Sequence, residues 1–355
     1  MQTFNAFVIA FLITFLSVPF FRKMALALNI VDMPSNKKMH TMPTPLLGGL
    51  AIYLGVVGSF FFFADSFISL APIFICATVI LYMGTYDDIK GLSARLRLFI
   101  QILLALILML NGIRISFLPH TVLGNIGEIL VTVIWIVGVT NAYNYLDGLD
   151  GLATGSAILN FFCFLVILYN TNQYALGLAI AILIGSCLGF LPYNFLRKSG
   201  MFLGDAGSTF IGFCLACIAI HGNWAGDSMV KLFIPILILG VPIFDMIFTT
   251  VMRIKEQKIK NIIEWLKYGG KDHFHHYLVD LGLSQRGAVL FIYYITFSLG
   301  LSAIMVSNDS VIEGVMTILQ SSIIFGVIGV LIVLGKKQQS LYADKCDCEK
   351  DNNIT

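Results

Sequence analysis

Charged residues are scarce in this chain of 355 residues. Lysine, arginine, aspartate and glutamate together make up 12% of the sequence, whereas 58% is hydrophobic. An ordinary soluble domain carries about 25% charged residues. The apolar runs also lack the alternation of apolar and polar residues that the strands of a membrane barrel show. These two absences argue against a soluble globular domain and against a β-barrel, and the composition predicts an all-α polytopic membrane protein.

About eleven apolar runs have the length of a membrane-spanning helix. They cover roughly residues 4–21, 46–64, 68–86, 97–112, 126–143, 152–170, 174–192, 207–221, 230–252, 287–306 and 311–334. The first run lacks the basic start and the small-residue cleavage site of a signal peptide, so we expect it to remain as a span. We therefore expect one multi-pass domain over residues 1–335 and a polar tail over residues 336–355.

The basic residues predict the orientation, because lysine and arginine accumulate on the cytoplasmic side of a membrane. With the N-terminus outside, 20 of the 22 lysines and arginines fall in segments on the inner side, and only Arg114 and Lys231 fall outside. An odd number of spans then places the C-terminus in the cytoplasm.

The polar segments gather on the predicted cytoplasmic side, whereas the outer loops are short and bland. These segments are residues 37–49, 85–98, 141–155, 191–209 and 271–286. Five polar loops on one face of a membrane protein indicate a functional site at that face.

Two pairs of aspartates stand out in these loops. Asp87 and Asp88 are adjacent, so they aim at one ligand only if the helix ends there, and they repel each other unless a cation or proton lies between them. A solvated helix end with Lys90 as partner is the alternative. Asp147 and Asp150 share one face of a helical turn, and glycines after each leave room for a phosphate or for Mg²⁺. The alternative there is an Asx-type turn that caps the sixth span.

Three further features are candidates. Asp205 lies between glycines at the start of the eighth span, where the acid can cap the helix and the glycines can let backbone N–H groups meet a phosphate. The run "HFHH" (273–276) has lysines nearby and no supporting cysteine, which favours an anion site over zinc. Asp245 lies inside the ninth span, where an acid is a functional candidate by default, and Arg253 is its nearest partner in the sequence.

Four motifs together resemble, in the same order, those of the polyprenyl-phosphate N-acetylhexosamine-1-phosphate transferases, the glycosyltransferase 4 family. They are "DDIKGLSARLRL" (87–98), "NAYNYLDGLDGLATG" (141–155), "YNFLRKSGMFLGDAGS" (193–208) and "HFHH" (273–276). The resemblance covers roughly residues 30–290. It implies a multi-pass enzyme of the bacterial plasma membrane with its active site on the cytoplasmic face.

The resemblance also implies a reaction. Sugar-1-phosphate passes from a UDP-N-acetylhexosamine to polyprenyl (undecaprenyl) phosphate, UMP leaves, and synthesis of O-antigen, common antigen or a teichoic acid linkage begins. Three phosphate groups crowd together in such a transfer, so we expect Mg²⁺, with Mn²⁺ as a substitute, to offset their repulsion. The lipid bilayer is a further partner, a homodimer rests on family analogy alone, and no nucleic acid is expected.

The resemblance assigns roles to the acidic motifs. Asp205 resembles a direct Mg²⁺ ligand, which Asn144 assists directly or through water. Asp87 and Asp88 resemble the pair that engages or deprotonates the lipid phosphate. The sequence leaves open whether the lipid phosphate attacks directly or a covalent aspartyl intermediate forms.

The resemblance assigns contacts with the UDP-sugar donor to the remaining motifs. Asp147 and Asp150 are expected to orient the nucleotide sugar or to hold metal-bound waters. Phe202 matches an aromatic residue that stacks on uracil, with Asn194 near the base. The residues expected to contact the diphosphate are His273, His275 and His276. The weaker candidates for contacts with phosphate or uridine are Lys37, Lys38, His40 and Arg253.

Two departures from the family pattern concern the histidine motif. Tyr277 follows it where the family often has arginine, and Lys271-Asp272 directly precede it. Peptidoglycan-type relatives carry three consecutive histidines, which this chain lacks, so we expect an N-acetylhexosamine without a peptide, namely GlcNAc. The alternatives are the same reaction with UDP-linked QuiNAc or FucNAc, a multi-pass transporter or channel, and a non-enzymatic scaffold.

Overall fold

The computed structural model is predominantly helical. It describes residues 1–33, 43–63, 68–119, 121–169, 171, 173–196, 200–261, 264–265, 268, 270, 272–307 and 311–352, with the backbone alone from residue 336. Its first helices are α1 (Gln2–Ala27), α2 (Gly48–Phe60), α3 (Ala71–Lys90), α4 (Ala94–Leu110), α5 (Val122–Leu146), α6 (Leu152–Leu168) and α7 (Tyr174–Leu191). The later ones are α8 (Gly204–His221), α9 (Ser228–Ile238), α10 (Gly240–Lys255), α11 (Phe274–Asp280), α12 (Gln285–Val306) and α13 (Val311–Asn352).

Ten of the eleven apolar runs predicted as spans each overlap one α-helix, and the run 230–252 overlaps two, α9 and α10. Within the described residues, seven helices are long and apolar enough to cross a membrane, or eight when the bent pair α9–α10 is counted as one span. These two helices meet at an angle of 73°. The 13 residues of α2 extend only about 20 Å, less than the roughly 30 Å of a hydrocarbon core. The multi-pass helical class is thus supported, while the count of eleven and the orientation stay predictions.

The two central helices are α7 and α8. Of the most apolar 18 residues in each, 78% and 83% are buried inside the protein. Small residues let neighbouring backbones approach the start of α8 closely. A Cβ added to Gly49 of α2 would lie 2.3 Å from the backbone nitrogen of Gly207, and one added to Gly84 of α3 would lie 2.6 Å from the Cα of Ala206. This packing brings the end of α3 and the start of α8 together.

A short antiparallel ribbon and a π-helical turn complete this end of the bundle. Strand β1 (Val31–Asp32) pairs with β2 (Thr44–Pro45), and the carbonyl of Pro45 accepts a hydrogen bond of 2.9 Å from the backbone N–H of Phe202. The π-helical turn Pro192–Leu196 extends α7. These contacts fix the segment that leads into α8.

Candidate active site

The site is built around the first turn of α8. The first N–H groups of a helix have no partner within it, and an anion placed there is stabilised. Asp88 supplies that anion from α3: its carboxylate oxygens accept hydrogen bonds from the backbone N–H groups of Asp205, at 2.9 Å, and Ala206, at 3.1 Å. Gly204 has a φ of +74°, and a Cβ there would lie 2.6 Å from Asp88 Oδ2. The residue whose side chain caps α8 is therefore Asp88 of α3 rather than Asp205.

Asp205 itself extends from the capped turn toward α5. Asn144 Nδ2 donates to Asp205 Oδ1 at 2.8 Å and contacts Ser208 Oγ at 3.0 Å. The side chain of Asp205 remains 40% exposed. The two residues predicted as metal ligands are thus neighbours, and the carboxylate is accessible.

Asp87 points away from Asp88, because α3 continues as a helix to Lys90. Its Oδ1 accepts a hydrogen bond from the Leu92 N–H at 2.6 Å, and its Oδ2 accepts one from Arg97 Nη1 at 2.6 Å. The same guanidinium nitrogen lies 3.5 Å from Asp205 Oδ2. Arg97 therefore links two of the predicted acids, although the sequence assigned it no role. A signal was present: a turn at Gly91 and a cap at Ser93 direct α4 back along α3.

The loop between α5 and α6 carries the second aspartate pair. Asp147 ends α5 and is half-buried, whereas Asp150 is exposed. Burial raises the pKa of Asp147 well above its usual range, and the negative charges of Asp205, Asp88 and Asp150 raise it further. The N-cap residue of α6 is Gly151, which has no side chain to cap the helix. The Asx-type turn expected at these two acids stays a prediction.

Asn194 holds this loop in place. Its Oδ1 accepts from the Gly151 N–H at 2.9 Å, and its Nδ2 donates to the Met201 carbonyl at 3.0 Å. Both ends of the amide thus serve backbone groups, and the side chain is buried. Phe202 follows Met201 in the chain, and its side chain is half-buried. Contacts of either residue with a nucleotide base stay a prediction, and Lys37, Lys38 and His40 lie outside the described residues.

The histidine run begins α11 and packs against the end of α5. The His273 ring stacks on Tyr145 with a centroid distance of 5.0 Å, and a Cβ added to Gly148 would lie 2.1 Å from His275 Nε2. His275 is fully buried, and neither ring nitrogen has a hydrogen-bond partner among the described residues. Burial lowers the pKa of His275 to about 3, with His276 contributing. His276 is the partly exposed member of the three.

A buried polar network anchors this run to α10. Arg253 makes a bidentate ion pair with Asp272, at 2.9 Å and 2.7 Å, and Asp245 Oδ2 lies 2.9 Å from His273 Nδ1. The sequence suggested Arg253 as the partner of Asp245, but the structure gives Asp245 the histidine instead. Arg253 is 2% exposed, so its predicted substrate contact would require this ion pair to open. Asp272 was missed because nothing in its spacing indicates a partner 19 residues away.

The donor set at the start of α8 fits a cation that binds together with phosphate. No group of three histidine, cysteine, aspartate or glutamate side chains in the described part of the chain could hold a metal by itself. Mg²⁺ needs fewer protein ligands, because it keeps waters and takes phosphate oxygens. Asp205 is accessible, and Asp88, Asp147 and Asp205 repel one another. Mg²⁺ with Asp205 and Asn144 is compatible with this surplus of negative charge.

The sequence comparisons identify the family. A profile described as glycosyl transferase family 4 matches residues 70–223. The chain is 33% identical over 314 residues to the "Probable undecaprenyl-phosphate N-acetylglucosaminyl 1-phosphate transferase" of Bacillus subtilis (strain 168), covering 86% of this chain and 85% of that relative. The chain belongs to glycosyl transferase family 4. The match to the family 4 profile includes α3, the loop after α5 and the start of α8.

Other family 4 members are similar along most of their length. The chain is 30% identical over 320 residues to the "Decaprenyl-phosphate N-acetylglucosaminephosphotransferase" of Mycobacterium tuberculosis (strain ATCC 25618 / H37Rv), covering 80% and 77% of the two chains. It is 29% identical over 293 residues to the "Undecaprenyl-phosphate alpha-N-acetylglucosaminyl 1-phosphate transferase" of Escherichia coli (strain K12), covering 79% and 78%. These findings confirm the resemblance drawn from the motifs.

Proposed function

We propose that this chain transfers N-acetylglucosamine-1-phosphate from UDP-N-acetylglucosamine to a polyprenyl phosphate and releases UMP. The observation that carries the proposal is the meeting of Asp88, Asp205 and Arg97 where apolar helices end. A lipid from the bilayer and a nucleotide from the cytosol must react at such a boundary. The relatives from Bacillus subtilis, Mycobacterium tuberculosis and Escherichia coli are named for the same class of acceptor and the same sugar, which supports the proposal.

The position of each residue in the site indicates its role in the reaction. Asp205 and Asn144 would hold Mg²⁺, which when bound offsets the charge of the phosphates. Asp88 fixes Asp205 by holding the first turn of α8. Arg97, 33% exposed and already paired with two carboxylates, offers a cation to a third anion, the phosphate of the acceptor or the donor.

The sidedness is part of the proposal. Lysines and arginines dominate the predicted inner segments, so the site would face the cytoplasm of a bacterial cell, where UDP-sugars are available. The same geometry would serve UDP-linked QuiNAc or FucNAc, because Asp205, Asn144 and Arg97 are assigned to the metal ion and the phosphates rather than to the sugar. Competition between unlabelled UDP-sugars and labelled UDP-N-acetylglucosamine would identify the donor.

The test uses purified full-length protein, polyprenyl phosphate, Mg²⁺ and labelled UDP-N-acetylglucosamine. We expect equal amounts of UMP and labelled lipid, and loss of both with EDTA. Asp205→Asn should abolish turnover. The matched control is Asp227→Asn, because Asp227 caps α9 beyond the far end of α8 and should keep wild-type activity. Well-folded protein that forms no lipid product with any UDP-sugar would refute the proposal.

A further inference from the structure

Asp245 is an acid placed deep in an apolar helix and outside the family profile match. It is 1% exposed, and its carboxylate is fully engaged. Oδ1 accepts hydrogen bonds from the Phe274 N–H at 2.6 Å and from Thr249 Oγ1 at 3.2 Å, while Oδ2 faces His273 Nδ1 at 2.9 Å. An acid is costly inside a membrane protein, so a carboxylate is expected there only where its charge has a role.

The network favours one tautomer of His273. Arg253 Nη2 lies 3.3 Å from His273 Nε2, and a guanidinium can only donate. We therefore assign Nε2 as the acceptor and the ring proton to Nδ1, which faces Asp245. A carboxylate enforces this tautomer because it only accepts, whereas an amide could present either an oxygen or an NH₂ group.

His273 transmits this constraint to the candidate active site. Its ring is nearly parallel to that of Tyr145, with 25° between the planes. Tyr145 in turn lines a narrow cleft with Arg97 and Asn141, and it follows Asn144, the partner of Asp205. The orientation of one buried imidazole thus sets one wall of the site.

We propose that Asp245 is a positioning residue for the transfer reaction. It holds His273 in the Nδ1–H tautomer and thereby fixes Tyr145 beside Arg97, while Asp245 itself touches no substrate. This inference rests on the proposed function and adds a residue of α10 to the machinery.

The first experiment measures kcat and KM for Asp245→Asn beside the wild type and the Asp227→Asn control. Loss of the partner that orients a metal-bound histidine costs about 10- to 100-fold in activity, and we expect the same range for the partner that orients His273. We expect a fall in kcat of that size. KM for both substrates should stay within about twofold of wild type, because Asp245 makes no contact that binds the substrates in the ground state. An unchanged kcat, with normal wild-type turnover, overturns the positioning role alone. Absence of wild-type turnover overturns the proposed function, and the inference with it.

A double-mutant cycle separates positioning from simple support of the fold. If Asp245 acts through His273 and Tyr145, then Asp245→Asn should cost little further activity in a Tyr145→Leu background. Fully multiplicative losses would overturn the inference.

A second variant keeps the test decisive if Asp245→Asn does not fold. In His273→Asn the amide nitrogen can still donate to Asp245, but no ring remains to stack on Tyr145. We expect that variant to melt near the wild-type temperature with reduced kcat, and wild-type kcat would overturn the proposal. Nitrogen-15 NMR of the histidines should show an Nδ1–H signal that His273→Asn removes; an Nε2–H tautomer at His273 would also overturn it.

Discussion

Replacing Asp88 with asparagine should destabilise the protein as well as inactivate it. Asp88 accepts two backbone N–H groups at the start of α8, and an amide retains only one acceptor oxygen there. Losing an N-cap interaction costs about 1 kcal/mol, and losing a negative charge at a helix N-terminus adds about 0.3–1 kcal/mol. The remaining amide NH₂ would face a backbone donor, so we expect a total of about 2 kcal/mol.

The neighbouring acid provides the contrast. Asp205→Asn keeps an oxygen for Asn144 and removes one charge from a group of mutually repelling carboxylates. We therefore expect its stability to stay within about 1 kcal/mol of wild type, while its turnover is lost.

Thermal unfolding in detergent with a thiol-reactive dye suits this comparison, because Cys76, Cys163, Cys187, Cys214 and Cys217 are free and buried. A loss of 2 kcal/mol corresponds to a fall in Tm of about 3 °C in a chain of this size. If Asp88→Asn melts like the wild type while losing turnover, the capping argument is wrong and a direct role on substrate is favoured. Equal loss of stability in the two variants would also contradict the reasoning.

Three further predictions follow from single contacts. Arg97→Gln should lower the half-saturating Mg²⁺ concentration several-fold, since it removes the cation that competes for nearby carboxylates; Mg²⁺ titration of UMP release measures this, and a higher requirement would contradict it. Asn194→Ala should lower Tm without changing KM for UDP-N-acetylglucosamine, because both amide ends bind backbone; a selective rise in KM would instead support contact with the base. Gly148→Ala should reduce Tm and turnover because a Cβ meets buried His275, whereas Gly226→Ala, where a Cβ meets open space, should behave as wild type.

The sequence predicted helices and the grouping of polar loops well because both are local or additive properties. Apolar length alone located the helices α1 to α10, α12 and α13, but not the short helix α11. The order of the motifs identified the family. The partners of individual side chains were harder, because they depend on how helices approach one another. Asp88 and Asp205 are separated by 117 positions, and their contact follows from glycine-mediated packing of α3 on α8. No pattern within either motif encodes that distance.

The histidine run shows the same limit more sharply. Three histidines in four positions suggested a shared contact with the diphosphate. The structure buries His273 in an ion-pair network and leaves His275 without a polar partner among the described residues, and His276 is the member that is partly exposed. His273 contacts Asp245 and Arg253 of α10, and the spacing of these residues offered only weak grounds for pairing either with the run.

The position of the polar groups also bears on the transporter alternative. Transporters of the broken-helix type bind their substrates near the middle of the membrane. Here the acids meet at helix ends, and α8, whose first turn Asp88 caps, is an apolar-rich helix of 18 residues, about 27 Å long. Its flanks are closed by backbone contacts at Gly49 and Gly84. A site that is capped by packed helices on one side and open at their ends on the other suits a reaction at the membrane boundary. It gives no support to passage of a solute across the membrane along α8. We therefore expect Asp205→Asn to abolish the lipid product without a separate change in solute flux.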